Sequence, residues 1–175
     1  MSMNDSQTIP EFGTKRENEE RRDGGCAVVF DPATQRYAVN KHDDNGLLIL
    51  FSGGVGPEED IQEGILREVV EESGLHDFLY VEKIGEAMTH YYHFAKKLNR
   101  VAHATCFLVI LKSADLVETH LEAHEKFTLL WKTADEIFTN WHEHNATHDH
   151  DHWIYFMKKT VARAKELGYD TTSTL

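Results

Sequence analysis

An α/β fold, with helices on a mixed or antiparallel sheet, is what this 175-residue sequence predicts, and three observations carry it. Short runs rich in β-branched and aromatic residues (CAVVF, RYAVNKH, LLILF, NRVAHATCFLVILK) alternate with turn signals such as DPATQ and DDNG. Between them, EEDIQEGILREVVEES has helical spacing, with Ile61, Ile65, Leu66, Val69 and Val70 sweeping one side. Near the end, HDHWIYFMKKTVARAKELG repeats that spacing through Trp153, Phe156, Val161 and Leu167 and stops at Gly168.

Taken in order, residues 1–22 are polar and mixed in charge, and read as a flexible N-terminal arm. Residues 23–168 form the domain, and 169–175 a frayed tail. Two or three strands fill the stretch from Gly24 to Phe51. The segments FLYVEKIGEAM, HYYHFAK and NRVAHATCFLVILK continue the sheet, with KKLN as a hairpin turn. KFTLLWKTADEIF reads as a strand running into a short helix, and Asp149 or Asp151 is placed to cap the last helix.

A formal net charge of −12 disfavours long nucleic acids, whose binding rests on Lys and Arg neutralising phosphates. A small phosphorylated ligand remains compatible, because cations held by carboxylates reverse the local sign. Cys26 and Cys106 each sit inside an apolar run and read as reduced, buried thiols of a cytoplasmic protein. No apolar signal or spanning segment is evident, so neither secretion nor a membrane location is expected.

The chemistry concentrates in GGVGPEEDIQEGILREVVEESGL, residues 53–75, which holds six glutamates and one aspartate. Pro57 suits a helix start, Glu58, Glu59 and Asp60 favour its positive end, and Gly74 marks its stop. At about 100° per residue, Glu68, Glu71 and Glu72 fall on one arc. Like charges at these spacings destabilise a helix. Hard cations such as Mg²⁺ take oxygen ligands, so the convergence calls for a metal, and phosphoryl chemistry is its natural use.

The pattern Gly53, Glu59, Arg67, Glu68, Val69, Glu71, Glu72, Gly74, Leu75 resembles the signature box of the Nudix hydrolases at every fixed position. That resemblance implies an α/β/α sandwich over roughly residues 24–167. It also implies Mg²⁺-dependent, or Mn²⁺-dependent, cleavage of a nucleoside diphosphate linked to another moiety. Carried over to this chain, Glu68, Glu71 and Glu72 resemble the metal ligands, and Glu68 or a glutamate of a later loop the base that activates water. Arg67 is similar to the residue that orients the glutamates, with Glu59 its partner. Glu125, in LEAHEKFTLLW, is the first choice for the loop base and Glu122 the reserve. A family carbonyl that touches metal maps to Gly53 or to Ser52, since SerGlyGly stands where relatives have ProGlyGly. Gly64 replaces the usual alanine at a small position expected to face the sheet.

For the substrate, Lys41 resembles a basic position near the phosphates, and Tyr91 and Tyr92 lie near a tyrosine of the diadenosine polyphosphate hydrolases. Dinucleoside polyphosphates, nucleotide sugars and nucleoside triphosphates all fit the box, whereas motifs of the coenzyme A and ADP-ribose subgroups are absent. Relatives often pair as homodimers, and the arm offers one contact for that. The rival reading is a non-catalytic domain that senses nucleotides; such relatives lose box carboxylates, and none is lost here. His142, His144, His148, His150 and His152 form a second cluster, read as a polar loop and helix start near the pocket rather than as a dedicated metal site.

Overall fold

Nine strands and three helices build the molecule in a computed structural model that describes residues 8–173. The strands are β1 (Glu11–Phe12), β2 (Glu20–Arg21), β3 (Gly24–Asp31), β4 (Arg36–His42), β5 (Leu48–Ile49), β6 (Phe51–Gly54), β7 (Phe78–His93), β8 (Leu98–Leu111) and β9 (Phe127–Lys132). The helices are α1 (Ile61–Ser73), α2 (Ala134–His144) and α3 (Asp151–Glu166).

The sheet is mixed. Its main path runs β1-β7-β8-β3-β4-β5, with β2 on β8, β6 on β3 and β9 on β4. β3 and β8 pair in parallel from Gly24↔Ala104 to Phe30↔Ile110, so two apolar strands lie at the centre and are buried on both faces. Alternation then divides their side chains. Ala27, Val29, Phe107 and Val109 face α1, where Ile65 and Val69 are fully buried against them. Cys26, Val28, Phe30 and Leu108 face Ile137, Trp141, Phe156 and Met157 of α2 and α3. The result is an α/β/α sandwich with α1 alone on one side.

Three boundaries differ from the sequence reading. The polar segment 8–22 pairs with the sheet: β1 runs parallel to β7 and β2 parallel to β8. Phe12 packs on Tyr155 with ring centroids 5.1 Å apart, and Glu11 and Glu19 take the two ring nitrogens of His90. Residues 1–7 of the expected arm lie outside the described residues. The tail is likewise anchored as far as Thr172, whose carbonyl accepts from Lys165 Nζ at 2.6 Å. Tyr169 packs on Tyr80, and the nearly buried Asp170 accepts a 2.8 Å bond from the Tyr37 hydroxyl. Finally, α1 begins three residues later than its acidic lead-in suggests. Asp60 is the N-cap, accepting from the Glu63 N–H at 3.0 Å, and Gly74 closes the helix at φ 82°.

Candidate active site

The α1 stripe that packs on the sheet runs Ile65, Val69, Glu72, at spacings of four and three residues. A carboxylate therefore occupies a core position. Glu72 is 6% exposed, and its Oε1 accepts from the Ser52 N–H at 3.2 Å. Burial, then the charges of Glu125 and Glu68, pushes the Glu72 pKa well above the ordinary range. Burial also raises Glu68, opposed by Arg67. Glu71, one turn from Arg67, is the most open of the three.

Arg67 organises the outer half of this corner. Its Nε and Nη2 donate to the two oxygens of Glu59 at 3.0 and 3.1 Å, while Nη1 donates to Glu68 at 3.0 Å and Glu71 at 3.1 Å. That fork-to-fork contact lowers the Glu59 pKa and raises that of Arg67. Gly64 sits beneath it: a Cβ there would come within 2.9 Å of Glu59 Oε1, so this glycine faces Glu59 and Val55 rather than the sheet.

Below α1, β6 brings backbone to the carboxylates. A Cβ on Gly53 would lie 2.3 Å from Glu68 Cδ, so only glycine admits that side chain. The Gly53 carbonyl is turned to β3, where its oxygen lies 2.1 Å from the place a Cβ on Gly24 would take. Ser52 points the other way, because its N–H already bonds Glu72 and its C=O shares that edge of the strand. Ser52, not Gly53, therefore presents the carbonyl to the corner.

The β8–β9 connection supplies the last carboxylate. Leu116 bridges Leu75, the Val117 N–H donates to Gly74 O at 2.9 Å, and the His120 N–H donates to Glu71 O at 2.8 Å. Seated along α1 in this way, the loop brings Glu125 close enough for its charge to raise both Glu68 and Glu72. Glu122 lies further out, its N–H held by Glu125 Oε1 at 2.9 Å.

The structure does not gather the remaining candidates here. Lys41 shares its face of β4 with Val39 and Tyr37 and lines a groove with Leu130 and Asn140 on the α2 side. Its neighbour Asn40 faces α1 instead, donating to Glu72 O at 3.1 Å, and its own Oδ1 is buried without a partner. A lone Asn in the apolar stretch YAVN was the sequence signal for it. Tyr91 and Tyr92 are half-buried near the end of β7 on opposite faces, with Tyr92 edge-on to Phe94 at 4.9 Å. Four of the five cluster histidines are used singly across the sheet from α1. His144 bonds Asn140 O, His148 meets Asp151, His150 stacks on Trp153 and His152 bonds Thr89. Neither Asp149 nor Asp151 caps α3, because Asp149 is engaged by Arg16 and Asp151 by Asn145; the cap position is His150.

Among the described residues, no three His, Cys, Asp or Glu side chains are closed into a ready-made metal cage. The corner nevertheless fits a hard cation. Its donors are all oxygen; among the described residues Arg67 is the one cation bonded to them, and Glu72 is buried without a positive partner. Fold and site together define a hydrolase of phosphoanhydride bonds.

The family model described as NUDIX domain matches residues 20–157, and the chain belongs to that family. No curated protein matches it in sequence. Among solved structures it is similar to the MutT protein of Methanosarcina mazei (17% identity, TM-score 0.59, 86% of this chain and 99% of that one). It is also similar to the ORF135 protein of E. coli (20%, 0.53, 87% and 97%). A third is the NUDIX domain of Shewanella oneidensis NrtR complexed with ADP ribose (13%, 0.51, 71% and 79%). At these identities the likeness is one of fold.

Proposed function

We propose that the protein is a Mg²⁺- or Mn²⁺-dependent pyrophosphohydrolase acting on a nucleoside diphosphate linked to another group. The observation that carries this reading is Glu72, a carboxylate in a core position with a raised pKa and no cation to offset it. A buried charge without a partner is costly, and is retained where a ligand completes it. Glu68, Glu71 and Glu72, with the Ser52 carbonyl, would hold the metal, which when bound neutralises phosphate charge and polarises phosphorus.

The residues themselves divide the remaining work. Arg67 holds Glu68 and Glu71 at a fixed spacing and is itself fixed by Glu59. Glu125 and Glu68 are the candidate bases: both lie in the corner, and Glu68's raised pKa moves it toward the range in which a carboxylate accepts a proton from water at neutral pH. Two buried free thiols suit a reducing cytoplasm, and no helix among the described residues is long and apolar enough to cross a membrane.

The test is turnover. Dinucleoside polyphosphates, nucleotide sugars, ADP-ribose and nucleoside triphosphates are incubated with Mg²⁺, and the nucleotide products of phosphoanhydride cleavage are separated and quantified by chromatography. Hydrolysis of at least one, lost in Glu71→Gln, supports the reading. Absence of turnover on the whole panel rejects it in favour of a nucleotide-binding module.

A further inference from the structure

The tip of the β7–β8 hairpin gathers positive charge in a chain that is acidic overall. Arg100 on β8 stands opposite Tyr91 on β7, and His93 lies two residues further along, so the three share one face of the ribbon. The His93 ring is edge-on to that of His124, centroids 6.2 Å apart. The side chain of Arg100 is 8% exposed, yet among the described residues its contact with carboxylate is a single long one, 3.5 Å to Glu20, and its Nε has no partner.

A guanidinium buried with a donor unmet is costly, and an anion with several acceptor oxygens would satisfy it. The surroundings agree. Burial, followed by the neighbouring basic side chains of Arg100, Lys96 and His124, lowers the His93 pKa, so basic groups face one another here. The carboxylates in contact, Glu20 on Arg100 and Glu122 on His124, are themselves mostly exposed at the rim. The β8–β9 loop ties this group to the acidic corner through the His93–His124 ring contact. His124 directly precedes Glu125, whose charge reaches Glu68 and Glu72.

We propose that Arg100, with His93 and His124 beside it, forms an anion subsite for phosphate lying beyond the scissile diphosphate. Substrates carrying a longer polyphosphate chain, as in dinucleoside polyphosphates or nucleoside triphosphates, are then preferred over diphosphates joined to a neutral sugar. The substrate preference rests on the hydrolase reading above; the subsite itself does not.

Two measurements separate them. Initial rates with Mg²⁺ are compared on a dinucleoside tetraphosphate and a nucleoside diphosphate sugar. Arg100→Gln is expected to raise KM for the tetraphosphate on the order of tenfold, leaving kcat and both constants for the sugar unchanged. His93→Ala shifts the same constant in the same direction. If Arg100→Gln does not fold, His93→Ala decides by that criterion. Equal losses on both substrates, no change on the tetraphosphate, or wild-type turnover of the sugar alone would each overturn the proposal. Independently of turnover, inorganic tripolyphosphate with Mg²⁺ raises the melting temperature of the wild type more than that of either variant. An equal rise, or none, sinks the subsite even where hydrolysis is established.

Discussion

Glu82 and Glu72 are both glutamates in contact with the body of the domain, and the protein treats them oppositely. At the seam between β7 and α3, Arg163 Nε and Nη2 close on the two oxygens of Glu82 at 2.7 and 3.0 Å, and the Glu82 pKa is lowered. In the corner between α1 and β6, Glu72 has one backbone N–H at 3.2 Å and a raised pKa. Burial is deeper where the partner is missing. A carboxylate that serves the fold is closed by its cation, whereas one left open in the core is costly unless a ligand completes it.

The largest expected effect breaks the corner. Glu72→Gln or Glu71→Gln lowers kcat/KM on the order of 10²–10³-fold or more, because a group facing developing phosphate charge is lost. Neither change lowers the melting temperature of the metal-free protein, and Glu72→Gln raises it, since an uncompensated buried charge is removed. Glu82→Gln leaves turnover intact. A loss of activity in Glu82→Gln equal to that in Glu72→Gln would dissolve the distinction.

Next in size is the response to cation. Mg²⁺ at about 100 times its Kd is expected to stabilise the wild type by about 2.7 kcal/mol. Thermal melts with and without Mg²⁺ should show that rise in Glu82→Gln and lose most of it in Glu72→Gln. A rise of equal size in both variants would place the ion elsewhere.

How much of this was legible follows the type of signal. The helical repeat placed Glu68, Glu71 and Glu72 together, because spacing alone fixes which residues share an arc. It did not show that Glu72 also continues the buried stripe from Ile65 and Val69, which depends on how α1 rolls against the sheet. The choice between the Ser52 and Gly53 carbonyls turned on strand register, Cys26↔Ser52 and Gly25↔Gly53, and a one-residue difference reverses the edge each carbonyl faces. The same parity sends Lys41 to α2 and Asn40 to α1. β1 and β2 were invisible because their pairing uses main-chain groups, while EF and ER are two-residue strands in a mostly polar segment where the single apolar side chain, Phe12, sets no periodicity. Arg100 was hidden for another reason: one arginine in a strand says nothing of whether its guanidinium is buried.

The pH dependence of metal-free stability sharpens the contrast, since the two carboxylates have opposite signs. Glu72 has a folded pKa raised above the ordinary 4.5, so folding favours its protonated form. Its contribution is neutral below that value, and stability is lost as the pH climbs from 4.5 toward the raised folded pKa. Glu82 has a folded pKa below 4.5, so its contribution is present above 4.5 and disappears as the pH falls through the folded value. Its pair with Arg163 is partly solvated, with side chains 28% and 37% exposed, so Glu82→Gln should cost no more than a few degrees at neutral pH. Melting curves from acid to neutral pH, compared with wild type, should therefore diverge upward for Glu72→Gln and slightly downward for Glu82→Gln as the pH rises. Both should converge on wild type in acid. Parallel curves for Glu72→Gln across that window would mean that Glu72 is already compensated in the free protein, and the case for a cation at the corner would lose its main support.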